Sequence, residues 1–217
     1  MSLFQWTGII LIALAVVVIG ILGAVAGIEI YQSRQIAQLE LAAKRVSGSD
    51  VGFSRTAVVY FSRSGNTGLA ARHIASRLNA ETIQLRAPAY ELGPVGLANA
   101  LSDANSLKTD PMAFPEVIPA VADLSGVDTI WIGSPVWLYS PAPPIWAFVE
   151  HNRFDGAHVV LFNTFNSNFG DDHIERLRAK VLVRGAASFE HRTVKRGRMT
   201  QQLTSEEMLR IIDEEWF

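Results

Sequence analysis

The sequence predicts a doubly wound α/β domain: a five-stranded parallel sheet covered by helices on both faces, preceded by one transmembrane helix. Three observations carry this. From Thr56 onward, short β-rich runs alternate with stretches of helical spacing. Most of those runs are apolar throughout, as strands buried on both faces are, while Glu81 to Leu85 alternates. Residues 1–28 contain no Asp, Glu, Lys or Arg, so the chain opens on an apolar segment long enough to span a bilayer.

The first element is the anchor, residues 1–30. Thr7 to Ile28 is a 22-residue stretch, close to the roughly 20 residues a helix needs to cross the hydrocarbon core. Trp6 and Tyr31 flank it, where amphipathic rings favour the membrane interface. Gly23 and Gly27 have the small-residue spacing that lets two such helices pack as a homodimer. Two other readings compete. A cleaved signal peptide would use Ala24-Val25-Ala26, but the apolar run is too long for one and nothing basic precedes it. A core helix would need a polar face, which is missing. Arg34, Lys44 and Arg45 follow the span, so positive residues place the remaining chain on the cytoplasmic side, in a bacterial inner membrane. Residues 31–52 read as a helical stalk (Tyr31 to Val46) and a flexible linker (Ser47 to Gly52). Residues 53–217 form the domain.

The mean hydropathy of +0.19 is therefore the sum of an anchor and an ordinary domain. The 19 Lys+Arg and 21 Asp+Glu residues nearly balance, which argues against a nucleic-acid partner. There is no cysteine. Disulfides, thiolate metal sites and a Cys nucleophile are excluded, and any redox chemistry must come from a bound cofactor. The five histidines show no metal-ligand spacing.

Within the domain, Thr56 to Phe61 reads as the first strand and Leu69 to Leu78 as a helix. Glu81 to Leu85 and Asp128 to Ile132 read as the second and third strands. A proline-broken excursion, Ala87 to Val127, separates them and has a helix at Gly96 to Leu107. Pro144 to Glu150 opens a helix with proline in its first turn. His158 to Phe162 is a buried strand, and Asp172 to Val183 a helix opened by an Asp172/Glu175 capping box. Gly185 to Val194 holds the last strand, and Thr204/Glu207 cap a terminal helix.

Ligands of such folds sit at the carboxyl ends of the strands. Three loops there carry the candidate site. Ser62-Arg63-Ser64-Gly65-Asn66-Thr67 offers hydroxyls, an amide, a guanidinium and a helix start, the equipment of a phosphate cradle. It matches neither the Walker nor the G-x-G-x-x-G pattern. The alternative is that Ser62 or Ser64 merely caps the helix. Pro135-Val136-Trp137-Leu138-Tyr139 follows the third strand, and its two aromatics suit stacking on a planar ring, the alternative being core packing. Thr164-Phe165-Asn166, with Phe169 and Gly170, follows the next strand and borders the same ring system, or is a plain polar turn.

These loops resemble the flavodoxin family. Val58 to Thr67 is similar to the family's first strand and its S/T-x-S/T-G-N-T loop, and Ile132 to Trp137 with Pro141-Ala142-Pro143-Pro144 resembles the second loop of bacterial members. The resemblance spans about Thr56 to Val194. It implies strand order 2-1-3-4-5 and non-covalent FMN, with phosphate on Ser62, Ser64, Gly65, Asn66 and Thr67 and the isoalloxazine between the second and third loops. Relatives often carry glycine where Tyr139 stands. A tyrosine resists positive φ, which weighs against strong stabilisation of a one-electron reduced flavin. The expected function is membrane-anchored electron transfer to a quinone or membrane redox partner, as an FMN-dependent oxidoreductase. The alternative is a non-catalytic flavodoxin-fold scaffold or sensor. No nucleophile–base pair supports phosphate-ester hydrolysis.

Overall fold

The computed structural model describes residues 55–107, 110, 112–166, 168–197 and 202–217, and the isolated positions 16, 17, 20, 23, 27, 31 and 34. The expected anchor, stalk and linker lie outside the described residues except at those seven positions, which are helical and exposed. Among the described residues no helix is long and apolar enough to cross a membrane.

The elements in chain order are β1 (Thr56–Phe61), α1 (Asn66–Leu78), β2 (Glu81–Leu85), α2 (Pro94–Ser106), β3 (Thr129–Trp137), β4 (Ser140–Pro141), α3 (Pro143–His151), β5 (His158–Phe165), α4 (Asp171–Val183), β6 (Ser188–Lys195) and α5 (Ser205–Trp216). The sheet runs β2-β1-β3-β5-β6, all parallel, with β4 antiparallel to β3 off this path. Five strands in the order 2-1-3-4-5 were expected, and the structure has six. The added strand is β4. The chain after Trp137 turns back so that Ser140 pairs with Trp137 and Pro141 with Val136. Proline is tolerated there because β4 is an edge strand with no further ladder to donate to.

Residues alternate across the sheet with period two. Val58, Tyr60, Trp131, Val160 and Phe162 face one way, into a cluster with Ala71 and Ile74 of α1 and Met208 and Ile212 of α5. Val59, Phe61, Ile130, Ile132, Val159 and Leu161 face the other way, against Ile145 and Phe148 of α3 and Leu177 and Val181 of α4. Burial on both faces explains why β1, β3 and β5 read as unbroken apolar runs. Of the outer strands, β2 is largely exposed and β6 is mostly half-buried.

Thr204 caps α5 as expected: the Glu207 N–H donates to Thr204 Oγ1 (3.1 Å), and the Thr204 N–H donates to Glu207 Oε2 (2.7 Å). The capping box expected at Asp172/Glu175 does not form. Helix α4 starts at Asp171 behind Gly170, and no side chain caps it. Asp171 and Asp172 instead lie in its first turn, where their charge complements the helix dipole.

Candidate functional site

The loops after β1, β3 and β5 come from three adjacent strands, so they meet at one edge of the sheet. Two hydrogen bonds tie them together. Thr67 Oγ1 and Thr164 Oγ1 lie 2.7 Å apart, joining the first loop to the third. The Gly170 N–H donates to the Tyr139 carbonyl at 2.7 Å, joining the third to the second.

In the first loop, Gly65 heads α1 at φ +90°, a conformation that glycine adopts without cost. The first helical bond runs from the Leu69 N–H to the Gly65 carbonyl, 2.8 Å. The N–H groups of residues 66–68 therefore have no intrahelical acceptor and point out of the helix start. Neither Ser62 nor Ser64 caps α1: Gly65 is the cap residue, and no side-chain cap bond forms. Ser62 Oγ is buried without a hydrogen-bond partner. Thr67 is buried against Thr164. A helix start, a glycine hinge and an orphaned hydroxyl fit an anionic group.

Arg63 is drawn elsewhere. Its Nε donates to the Tyr90 carbonyl (3.1 Å) and its Nη2 to the carbonyls of Gly93 (3.2 Å) and Glu91 (3.4 Å). The only guanidinium inside the loop thus fastens the turn before α2. The guanidinium that reaches the loop is Arg196, just after β6. Its Nε donates to Asn66 Oδ1 at 3.2 Å.

The second loop is a hairpin. Pro135, Val136 and Trp137 end β3, and the turn residues Leu138 and Tyr139 have φ +47° and +74°. Positive φ at both central positions is what a two-residue turn of this twist demands. The expectation that Tyr139 resists positive φ is therefore corrected: the hairpin and the Gly170 bond already hold it there, and the argument drawn from it about one-electron chemistry falls. The two aromatics part company. Trp137 packs inward, edge-on to Phe61 and Tyr90, both at 5.6 Å. Tyr139 is exposed at the loop tip.

In the third loop Thr164 is buried and Asn166 is exposed. Phe169 stands edge-on between Phe165 (5.3 Å) and His191 (5.2 Å).

A polar chain beneath the loops was not anticipated. His191 Nε2 and Asn163 Oδ1 are 2.8 Å apart, Asn163 Nδ2 donates to the Ser134 carbonyl (2.9 Å), and Ser134 Oγ accepts from the Ala142 N–H (2.9 Å). It crosses from β6 through β5 to the hairpin. Asn163 has one local signal, a lone amide closing the apolar run HVVLF. Burial pushes the His191 imidazole below its ordinary pKa, opposed by the charge of Asp171.

Comparison with known proteins agrees with this geometry. The family model described as Flavodoxin matches residues 55–214. A protein of Bacteroides uniformis assigned as a flavoprotein is 22% identical, covers 73% of this chain and 97% of its own, and superposes with a TM-score of 0.56. A similarly assigned protein of Bacteroides eggerthii is 20% identical, with coverages of 75% and 98% and a TM-score of 0.53. A flavoprotein of Lactobacillus acidophilus, solved in complex with FMN, is 20% identical, with coverages of 63% and 91% and a TM-score of 0.50. No curated protein matches. The β1–α1 loop and the match over residues 55–214 lead to one conclusion: the chain belongs to the flavodoxin family.

Proposed function

We propose that this chain binds FMN non-covalently at the three-loop edge and transfers electrons from the surface of a membrane. The start of α1 carries the reading: the outward N–H groups of residues 66–68, Gly65 at φ +90° and the orphaned, buried Ser62 hydroxyl form a receptor for a terminal phosphate. The FMN complex of the Lactobacillus acidophilus flavoprotein supports the same cofactor.

Bound FMN would supply the redox chemistry, which a chain without cysteine cannot supply itself. The chain's own groups bind and orient. Ser62, Ser64 and the backbone of Gly65, Asn66 and Thr67 take the phosphate. The hairpin of Val136 to Tyr139 sets one wall for the ring, with exposed Tyr139 available to stack. Phe165, Phe169 and the Gly170 turn form the facing wall and exclude water.

The charge-free stretch Thr7 to Ile28, followed by Arg34, Lys44 and Arg45, supports a single-pass anchor with the domain on the cytoplasmic side. From there the protein would pass electrons from a reduced donor to a quinone or a membrane redox partner. The test uses the full-length chain reconstituted in vesicles with FMN. Retention of the protein through an alkaline wash, together with turnover of NAD(P)H or reduced flavodoxin reductase with a quinone, is expected. Release by the wash contradicts the anchor. Bound FMN with no turnover favours a scaffold or sensor instead.

A further inference from the structure

The structure assigns Arg196 as a cationic ligand for the cofactor's phosphate, so that the phosphate is held by charge as well as by hydroxyls and backbone N–H groups. This rests on the FMN reading of the same site.

The hydroxyls and backbone amides of the loop carry no formal positive charge, and the one basic side chain within residues 62–67 is Arg63. That guanidinium is spent on the carbonyls of Tyr90, Glu91 and Gly93. Arg196 comes to the loop from 130 residues downstream, with its Nε on Asn66 Oδ1 at 3.2 Å. Asn66 is the first residue of α1, so this contact brings the guanidinium to the helix start, where the N–H groups of residues 66–68 lack acceptors.

Arg196 is buried, 4% exposed, and its Nη1 has no hydrogen-bond partner. A buried cation with a free donor is costly unless an anion or an acceptor completes it. No carboxylate forms an ion pair with it among the described residues; burial lowers its pKa, and Tyr31, Glu206 and Glu207 act on it only through charge attraction. Its backbone is fixed as well. The Arg196 N–H donates to the Phe165 carbonyl (2.8 Å), and the Arg196 carbonyl accepts from the Leu203 N–H (2.9 Å). The side chain is thus anchored at its base, held at Nε and left with an unused donor beside a phosphate cradle. A dianionic phosphate monoester completes that arrangement.

The experiment compares FMN with riboflavin, which lacks the phosphate, on the full-length chain and on Arg196→Gln and Arg196→Lys. Arg196→Gln should weaken FMN about tenfold or more, as loss of a hydrogen bond to a charged group does, and leave riboflavin unchanged. Arg196→Lys should retain part of the preference for FMN and steepen the salt dependence of binding. Unchanged FMN affinity, or an equal loss for both flavins, overturns the assignment, and so does a loss of FMN affinity that Arg196→Gln no longer adds once Asn66→Ala has removed the residue it could merely brace. If Arg196→Gln does not fold, loss of the FMN preference at high salt in Arg196→Lys gives the same answer. A third arm separates the two readings. If wild type takes up neither flavin but inorganic phosphate raises its melting temperature, and Arg196→Gln abolishes that rise, the anion ligand stands and FMN falls. If neither flavin nor phosphate binds, both fall.

Discussion

The hydroxyls of Thr67 and Thr164, 97 residues apart in sequence, meet at 2.7 Å in a site closed to solvent. One loop carries the proposed phosphate cradle and the other a wall of the proposed ring site, so this contact joins them into one unit. Thr164→Val leaves the Thr67 hydroxyl buried without a partner. It should cost about 1–3 kcal/mol of stability. Removing both hydroxyls in Thr67→Val/Thr164→Val should cost less than the sum of the single changes. Urea unfolding of the four proteins measures this, and strict additivity would show that the contact contributes nothing.

Leu138 and Tyr139 occupy positive φ where glycine or asparagine would be easier. Each non-glycine residue in that region costs roughly 1–2 kcal/mol. Tyr139→Gly should therefore raise stability by about 1 kcal/mol, because an exposed ring gives up little burial. The same change should weaken FMN and riboflavin alike, since it removes a stacking ring and leaves the phosphate contacts intact. Strain at a site of this kind is expected where binding requires a set backbone. A variant that is both less stable and equally avid for flavin contradicts this account.

Arg63, a binding candidate in the sequence, is held by main-chain carbonyls, whereas Arg196 is the guanidinium that reaches Asn66. Arg63→Gln releases the carbonyls of Tyr90, Glu91 and Gly93 and should cost about 1–3 kcal/mol of stability. Because its charge is not on the phosphate, the ratio of FMN to riboflavin affinity should stay constant. A fall in that ratio would place Arg63 on the phosphate after all.

His191 gives the domain an acid-sensitive point. Burial holds its imidazole below the ordinary 6.5, and Asp171 opposes this only in part. The unfolded chain thus takes up the proton first as pH falls. Stability from this group is complete above the ordinary pKa, and is lost as pH drops through 6.5 towards the folded value. Unfolding midpoints between about pH 5 and 7 should fall steeply for wild type and less steeply for His191→Gln. Equal slopes would assign the acid sensitivity to other groups.

The sequence carried the layered fold because β1, β3 and β5 are buried on both faces and so read as apolar runs. It carried the β1–α1 loop as a candidate anion site because glycine, hydroxyls and a helix start are a local pattern, and the structure places Gly65 at the head of α1. It could not carry β4, since a two-residue strand leaves no periodicity and Ser140-Pro141 looks like loop. It misassigned the cap of α4, because Asp172/Glu175 has the spacing of a capping box but sits two residues past the cap position, Gly170. Trp137 and Tyr139 look equivalent in sequence, and only the turn between them sends one ring inward and the other out. Arg196 and His191 act through contacts 130 and 28 residues away, which no local pattern reports.

The most direct measurement is a titration of the full-length, flavin-free chain with FMN, followed by absorbance and flavin fluorescence. Saturable binding of one FMN per chain is expected, with perturbed flavin bands and quenched emission, and weaker binding of riboflavin. A chain that leaves both the FMN spectrum and its fluorescence unchanged at every concentration contradicts the FMN reading.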